Sequence, residues 1–559
     1  MNKRARQAPW YSWLALGSIL GQSACGADGA AYDAKFADSD GGAGGNPSGA
    51  PGPYDDAGAP SPEDELEAAA LTFGPPAVGA THVWVPSSDN DLVLRIDAVT
   101  RKIEPVSVAD APNAVVTRPG REFGVALCPG SDELVLIDAE TSPSEVRFVA
   151  LPRHFNRVTL DPSGATAWLW FEFDDATAGE DTGALQDLGV VDLETQTVDL
   201  VTTGFRPQRP VFPGNGDVAY VVTDDGLGLV PLAANAGGER VGQLLATTED
   251  PFLQAGREVY ITPDGRYVVS RAPAEAALTI LEPETETLRT VALAGTPTDL
   301  DLSFDGRVAL VMLRDEQKVV RVDLATATTR TLTLPVPLGS AAMAADTGRA
   351  LLYTTLPEAE LSPRIAVLDL AAFAEDEAED GGEAPLVQRP VRKEIAGATL
   401  SPDGRRAFLL HRRAPGRPDP ALGEEEFLRR SPGWSLVDLG DAGTGPFVRL
   451  VTTQADPLGV FWLGLEDLAF VPLDSGAPGS TPDTPEVRVH RLQVVDLARA
   501  SVRDLPLPSP PETIGALDAL ERLFITQTHP EGRISFLSLE RSDAPLETLS
   551  GYLLNGGIE

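Results

Sequence analysis

The sequence is poor in the side chains that most often build metal centres and nucleophilic sites. Its 559 residues include two cysteines, five histidines and three methionines, and 6% are aromatic. The histidines form no His-Glu-x-x-His motif and no pair at metal-ligand spacing, and no Gly-x-Ser-x-Gly elbow occurs. These absences argue against the common zinc and serine hydrolases. We therefore predict no metal site, no cofactor and no catalytic residue.

Long apolar runs and basic residues are also scarce. No segment beyond the N-terminal region has about 18 uncharged apolar residues, the length that a membrane-spanning helix needs. There are 44 Lys and Arg against 83 Asp and Glu, a net charge of −39, which argues against a nucleic-acid partner because phosphates are bound by clusters of Lys and Arg. The 42% hydrophobic content is enough for a core, and 53 Gly with 48 Pro favour many turns and little long helix.

Residues 1–24 have the pattern of an export signal peptide. Basic residues lie within positions 3–6, and a short apolar stretch follows over 13–20, as in secreted proteins. The stretch Gly21-Gln22-Ser23-Ala24-Cys25-Gly26 resembles the lipobox of bacterial lipoproteins. The resemblance implies that Cys25 is acylated and that the protein is an outer-membrane, periplasmic or cell-surface lipoprotein, held to the membrane by its lipid alone. Cleavage by the ordinary signal peptidase without lipidation is the alternative.

Residues 25–71 are predicted to combine the lipidation site with a disordered linker. Between residues 26 and 70, ten acidic residues accompany the single Lys35 among Gly, Ala, Pro and Ser, without apolar periodicity. Such a composition cannot bury a core. A spacer between a lipid anchor and a folded domain fits this segment, and so does an untethered tail. With Cys25 lipidated, Cys128 has no disulfide partner, and its apolar surroundings predict a buried position.

From about residue 80 onward, one pattern recurs every 41–62 residues. A short β-rich strand opens each unit, a second strand ends in Asp and a turn, a third is rich in Val, Leu and Thr, and a fourth closes in a turn such as Pro-Asp-Gly-Arg. Length and β-branched content are typical of strands, and Asp-Gly supplies the positive φ of tight hairpins. An Asp at a strand end accepts N–H groups just beyond it, so we interpret these Asp residues as turn formers. They are Asp97, Asp138, Asp192, Asp323, Asp369, Asp438 and Asp496.

This repeat resembles the YVTN β-propeller repeat, which is related to the lactonase-like and surface-layer propellers. The resemblance is carried by Tyr220-Val221-Val222-Thr223, by Val322-Asp323 and by Pro402-Asp403-Gly404-Arg405. It covers roughly residues 80–559, with long, degenerate units near 166–217 and 406–522. The resemblance strongly implies a β-propeller fold, but it implies almost nothing about function.

The predicted fold class is therefore all-β, a β-propeller of four-stranded antiparallel blades over residues 72–559. One unit cannot bury both of its faces, so units must stack, and a ring removes the open edges. The count predicts about 7–10 blades and leaves open whether they form one ring or two. Ten units open near residues 82, 125, 167, 218, 267, 308, 351, 406, 468 and 523.

Strand order divides the loops between two faces of the ring. The Asp turns lie on one face, and the longer loops lie on the other face, near the channel. Basic residues in those longer loops are predicted to bind an anionic small ligand; the alternative is that they pair with acids of the same loops, Glu424, Glu425 and Glu426 among them. The candidates are Arg153, His154, Arg206, Arg209, Arg392, Lys393, His411, Arg412, Arg413 and His529.

Together these features favour an exported, lipid-anchored propeller that serves as a ligand- or protein-binding or scaffold module at the cell envelope. The alternatives are a lactonase- or dehydrogenase-like enzyme with its site at the channel mouth, and a structural surface protein. An enzyme requires convergent polar groups in a compact pocket, so wide separation of His154, His411 and His529 would weigh against it. An apolar patch on the loop face would favour a protein partner.

Overall fold

The Asp-Gly turns of the repeat form tight hairpins, as the sequence predicts. Gly265, Gly306 and Gly404 have φ values of 67°, 68° and 64°, in the left-handed region that glycine enters without steric cost. In the last of these turns, the Asp403 carboxylate accepts hydrogen bonds from the backbone N–H of Arg405 at 3.1 Å and from the Ser401 hydroxyl at 2.6 Å. The turn sequence thus fixes the direction of the strand that follows.

The computed structural model describes residues 71–553 except for 174–184, 215, 236–237, 250–256, 273–274, 345–347, 356–362, 376–385, 441–445, 464–466, 476–488 and 541–543. The predicted signal peptide, the linker as far as residue 70, and Cys25 lie outside the described residues. The described residues form forty strands in ten antiparallel sheets, which are the ten blades of a β-propeller. No helix among them is long and apolar enough to cross a membrane.

In the first half of the ring, strands follow one another in chain order within each sheet. Blade 1 contains β1 (Ala77–Val78), β2 (His82–Ser87), β3 (Leu92–Asp97) and β4 (Ile103–Ser107); blade 2 contains β5 (Ala114–Thr117), β6 (Phe123–Cys128), β7 (Glu133–Asp138) and β8 (Glu145–Ala150); blade 3 contains β9 (Arg157–Leu160), β10 (Thr166–Trp170), β11 (Asp187–Asp192) and β12 (Val198–Thr202); blade 4 contains β13 (Val218–Thr223), β14 (Gly226–Pro231) and β15 (Gln243–Leu245); blade 5 contains β16 (Glu258–Ile261), β17 (Val268–Arg271), β18 (Ala277–Glu282) and β19 (Thr287–Ala292).

The second half of the ring repeats this order with larger insertions. Blade 6 contains β20 (Asp299–Leu302), β21 (Val308–Leu313), β22 (Lys318–Asp323) and β23 (Thr329–Thr333); blade 7 contains β24 (Ser340–Met343), β25 (Arg349–Tyr353), β26 (Arg364–Asp369), the helix α1 (Leu370–Glu375) and β27 (Leu386–Pro390); blade 8 contains β28 (Ile395–Leu400), β29 (Arg406–His411), the helix α2 (Glu424–Arg430), β30 (Gly433–Asp438) and β31 (Phe447–Thr452); blade 9 contains β32 (Asp456–Pro457), β33 (Phe461–Trp462), β34 (Leu468–Asp474), β35 (His490–Asp496) and β36 (Ser501–Pro506); blade 10 contains β37 (Pro511–Leu517), β38 (Arg522–Gln527), β39 (Arg533–Ser538) and β40 (Glu547–Ser550). Short 3₁₀ turns cover Ser88–Asn90, Pro420–Leu422 and Asp518–Leu520.

The repeat unit recognised in the sequence begins one strand later than the blade seen in the structure. All ten predicted unit openings fall at the second strand of a blade, from β2 near residue 82 to β38 near residue 523, if the bridge at Val211 is counted as the first strand of blade 4 and β32 with β33 as that of blade 9. The strand before the Pro-Asp-Gly-Arg turn, which closes the sequence unit, is the first strand of the next blade. First strands of neighbouring blades contact each other, β5 with β9 and β20 with β24, so they lie nearest the channel.

The hydrophobic core lies between blades rather than within them. Ten buried clusters occur among the described residues, each made by two neighbouring blades. Between blades 2 and 3, for example, Leu136 packs in one cluster with Phe155 and Leu169. Burial of each such side chain stabilises the fold by about 1.5–3 kcal/mol, so the blade interfaces provide most of the core energy.

Blade 10 packs against blade 1 and closes a single ring of ten. Val83 and Leu94 of blade 1 share a buried cluster with Phe524 and Phe536 of blade 10, and β1 contacts β37. The question of one ring or two, which the sequence left open, is thereby answered.

The two regions predicted to be degenerate contain the irregular blades. In blade 4 the first strand is reduced to one bridge, Val211 with Tyr220. Pro207, Pro210 and Pro213 lie in this stretch and cannot donate ladder hydrogen bonds. In blade 9 the first strand is divided into β32 and β33, both paired with β34.

Candidate functional site at the loop face

One face of the ring carries the connections from second to third strands and from each fourth strand to the next blade; we call it the loop face, and the opposite face the turn face. The predicted basic residues divide between distant parts of the loop face. Arg153 and His154 lie between blades 2 and 3, and Arg206 and Arg209 between blades 3 and 4. His411 ends blade 8 strand β29 and is followed by Arg412 and Arg413, and His529 follows β38 of blade 10. In a ring of ten, blades 3 and 8 are opposite, so these residues do not form one site.

The blade 8 residues hold a helical insertion in place. His411 is buried, with Nδ1 3.0 Å from the carbonyl oxygen of Glu394 and Nε2 2.7 Å from the Ser435 hydroxyl. Burial lowers the pKa of His411 to about 4, so its imidazole group is uncharged near pH 7. These contacts join the strand end to its neighbours within the blade.

Lys393 caps the same insertion. Its buried ammonium donates to the carbonyl oxygens of Leu428 at 2.5 Å and Ser431 at 2.7 Å, at the C-terminal end of α2, where a cation is favoured. Burial lowers the pKa of Lys393 to about 8. Arg392 pairs with Glu424 at 2.7 Å. Pairing with acids of the same loops, the alternative named from the sequence, is therefore observed here.

The residues of blades 2 to 4 are more accessible. Arg153 lies 3.6 Å from Asp187, and His154 Nδ1 lies 2.7 Å from Asp132. Arg209 is exposed and makes no ion pair with any residue that the structure describes.

Arg206 links two exposed aromatic residues at this position. Its guanidinium lies 5.4 Å from the Phe173 ring centroid, a cation–π distance, and 3.4 Å from Asp224. Phe205, beside it, is fixed by a 2.6 Å hydrogen bond from its N–H to the Asp225 carboxylate. The Phe173 ring and the Phe205 backbone are therefore each held by a specific contact.

The apolar surface continues onto the outer strand of blade 4. Leu244 of β15 reaches Gly204, where a Cβ added to the glycine would lie 3.3 Å from Leu244 Cδ1. Phe173, Phe205 and Leu244 are 39%, 37% and 47% exposed. We call Phe173, Phe205, Arg206, Arg209 and Leu244 the blade 3–4 surface.

Exposed apolar side chains concentrate on these two blades. Of the eleven large apolar side chains that are strongly exposed among the described residues, six belong to blades 3 and 4. They are Phe173, Leu200, Phe205, Val211, Val241 and Leu244. Apolar side chains exposed close together are typical of interaction surfaces, whereas single exposed apolar residues are ordinary.

Two carboxylates near the channel, that of Asp299 buried and that of Asp301 half-buried, were not expected from the sequence. In β20, Asp299 accepts the N–H of Ala341 at 2.9 Å, and Asp301 accepts that of Met343 at 2.6 Å, which joins the first strands of blades 6 and 7. Burial raises the pKa of Asp299 to about 7 and that of Asp301 to about 6. A sequence signal exists, because Asp-Leu-Asp-Leu at 299–302 places two carboxylates on one side of a strand, where acids are uncommon.

Raised pKa values of this kind occur at catalytic sites, but here the carboxylate oxygens are occupied by backbone N–H groups. Among the described residues, no group of three or more His, Cys, Asp or Glu side chains could hold a metal ion. Cys128 is buried and free, and burial raises its thiol pKa to about 12. These groups are therefore assigned to the structure of the ring.

Comparison with known proteins does not assign the chain to a family. No family model and no curated protein matches the chain. Among solved structures, the chain is similar to the dihydro-heme d1 dehydrogenase NirN, with 12% identity and a TM-score of 0.40 over 66% of this chain and 71% of that one. It is also similar to AztD from Citrobacter koseri (14% identity, TM-score 0.31, 55% and 84%) and to hydrazine synthase from Kuenenia stuttgartiensis (15% identity, TM-score 0.30, 71% and 99%). Similarities at this level carry no information about function.

Proposed function

We propose that the protein is an exported, lipid-anchored β-propeller that binds a protein partner of the cell envelope at the blade 3–4 surface. The observation that carries this proposal is the concentration of exposed Phe, Leu and Arg on two adjacent blades. Aromatic residues and Arg are the side chains that contribute most binding energy in protein interfaces. The irregular first strand of blade 4 distinguishes this part of the ring from the regular blades.

Charge favours an acidic partner surface. The whole chain has a net charge of −39. At the blade 3–4 surface Arg206 is paired with Asp224, whereas the exposed Arg209 makes no ion pair with any described residue. A partner that places carboxylates around an apolar side chain would complement this arrangement, and charge complementarity of this kind raises association rates. We therefore propose that the partner is a protein with an apolar patch surrounded by acidic residues, rather than a nucleic acid or a bilayer.

The catalytic alternative has less support. His154, His411 and His529 lie on separate parts of the ring, and His411 is buried with both nitrogens engaged. Asp299 and Asp301 have the pKa values expected of acid–base groups, but they bind the neighbouring strand. A binding role requires none of these residues to act on a substrate.

Site-specific photo-cross-linking tests the partner. A benzoylphenylalanine at position 205 of the full chain, expressed in its own envelope, is expected to give a discrete protein adduct that R206E/R209E abolishes. The matched control is the same group at Phe447, which is 64% exposed on blade 8. The identified partner, purified, should bind F205A at least about tenfold more weakly than wild type, since a buried aromatic anchor is commonly worth more than 1 kcal/mol, and should bind F447A normally. Equal adducts from positions 205 and 447, or no adduct at position 205, would refute the proposal that the partner binds at the blade 3–4 surface.

The lipid anchor has a separate test. The basic residues within 3–6 and the apolar stretch over 13–20 support export, and the sequence around Cys25 supports acylation. The described ring begins far enough along the chain for a tether to precede it. Mass spectrometry of the mature N-terminal peptide from a membrane fraction is expected to show acyl groups on Cys25, and C25A is expected to move the protein out of that fraction. An unmodified terminus would refute lipidation and leave the partner proposal standing.

A further inference from the structure

A cavity opens on the turn face between blades 2 and 3. Its volume is about 320 Å³, at the lower end of the range for small-molecule sites. Blade 2 contributes Arg118, Arg121 and Arg147, and blade 3 contributes Asp192 and the residues after it. The cavity lies on the opposite face from the blade 3–4 surface, so a ligand bound here is independent of the proposed partner.

Comparison with an equivalent blade shows what this cavity lacks. Arg147 is the third residue of outer strand β8, as Arg289 is of β19. Arg289 donates to the carbonyl oxygens of Leu324 and Ala325 at 2.8 and 2.6 Å, which follow the terminal Asp of a third strand in the next blade. This contact clasps blade 5 to blade 6.

Arg147 makes no such clasp. The equivalent residues of blade 3, Leu193 and Glu194, line the cavity, but no hydrogen bond joins Arg147 to them or to any other residue that the structure describes. Its Nε is buried without an acceptor, and the nearest carboxylate, that of Glu145, is 3.8 Å away. The Arg147 side chain is 35% exposed, and the Nε of the clasped Arg289 also lacks an acceptor. What distinguishes Arg147 is that its terminal N–H groups lack the carbonyl acceptors that Arg289 has, which leaves them for an acceptor in the cavity.

Arg118 provides a second, oriented guanidinium. Its Nε donates to the Gly164 carbonyl oxygen at 2.6 Å, and the group lies 4.1 Å from the Phe123 ring centroid. Its terminal nitrogens donate to no residue in the described part of the chain. Burial and the nearby charge of Arg121 lower the pKa of Arg118, as expected where positive groups gather.

The carboxylates around the cavity are already engaged. Glu140 binds Arg121 through both oxygens, at 2.5 and 3.0 Å. Asp192 accepts the N–H groups of Glu194 and Thr195 at 3.0 and 2.7 Å, and Asp138 accepts the N–H of Glu140 at 3.1 Å. Glu194 is exposed, where solvent and salt screen its charge. The unused N–H donors of the cavity are therefore the terminal groups of Arg118 and Arg147.

We propose that this cavity binds a small organic anion through Arg118 and Arg147, with a carboxylate or phosphate group as the recognised element. The guanidinium fork suits both groups, because each presents two oxygens at the spacing of two N–H donors. Phe123 and Leu193 offer an apolar wall to the remainder of such a molecule.

The site is tested by calorimetric titration of the full mature chain at low ionic strength. Titrations with succinate and with inorganic phosphate distinguish a carboxylate ligand from a phosphate ligand. Saturable binding of at least one probe is expected, weakened about tenfold or more in R147Q and less in R147K, which keeps the charge. R289Q is the matched control: it removes the clasp between blades 5 and 6 and is expected to bind the probe as wild type does. Thermal melts establish that each variant is folded. Absence of binding by both probes, or equal binding by folded R147Q, would overturn the proposal.

Discussion

Aspartate side chains act in two different ways in this ring, according to their position in a blade. At the end of β11, Asp192 accepts the N–H and the hydroxyl of Thr195 at 2.7 and 3.0 Å, and these bonds lower the pKa of Asp192. At the channel, Asp299 is buried, and its pKa rises. The turn role was predictable because the partner is three residues away. The channel role was not, because the N–H of Ala341 is 42 residues away.

Asp299 gives a pH-dependence prediction. Its pKa is about 7 in the fold against an ordinary 3.8, so the native state binds more protons than the unfolded state between these values. The free energy of unfolding should then fall as pH rises from about 4 to about 7, by up to about 4 kcal/mol from this group. Asp301 strengthens the shift and Arg271 opposes it.

Urea unfolding of D299N at pH 4.5 and pH 8 tests this sign. The variant should lose most of that pH-dependent decline and be more stable than wild type at pH 8. D315N, at an exposed carboxylate, is the control and should follow wild type. A D299N curve parallel to the wild-type curve would contradict the assignment.

Outer strands contribute to blade contacts through long basic side chains as well as through apolar ones. Arg289 reaches two turn carbonyls of blade 6, and Arg449 reaches the Ala500 carbonyl oxygen of blade 9. Strand positions and Asp turns were predictable from local sequence, since each depends on neighbours within a hairpin. The clasps were not, because an Arg on an outer strand gains its role only when another blade is placed beside it.

R289M should therefore weaken the interface between blades 5 and 6. Loss of two hydrogen bonds from a charged group is expected to cost about 1–3 kcal/mol of unfolding free energy. R330M, at an exposed position of β23, should change it by less than about 0.5 kcal/mol. Chemical denaturation of both variants measures the difference, and equal stabilities would show that the clasp contributes nothing.

The whole molecule depends on the contact between its first and last blades. Each blade is built from one continuous stretch of chain, so no strand crosses the seam between blades 10 and 1. Side-chain packing closes it, with Phe73 and Tyr552 rings 5.1 Å apart, and Arg522 donates to the Ala98 carbonyl oxygen at 2.9 Å. Ten repeats and a ring were predicted from the sequence, but the pairing of the tenth blade with the first was not, because it depends on a contact between residues more than four hundred positions apart.

Y552A should open this seam. Tyr552 is buried, and its ring also lies against Gly532, so truncation leaves a cavity that costs about 3–5 kcal/mol. Limited proteolysis should then cut within blade 10 or blade 1 before the other blades. F148A, at an exposed position on the rim of blade 2, should leave the cleavage pattern unchanged. An unchanged pattern in Y552A would show that the seam does not rely on this residue.

Electron cryomicroscopy of the full-length protein, viewed along the channel axis, tests most directly the ring on which every surface assignment depends. A single closed ring of ten blades predicts ten radial densities around one channel, with blade 4 the least regular. Fewer blades in the ring, a gap between blades 10 and 1, or two separate rings would contradict it.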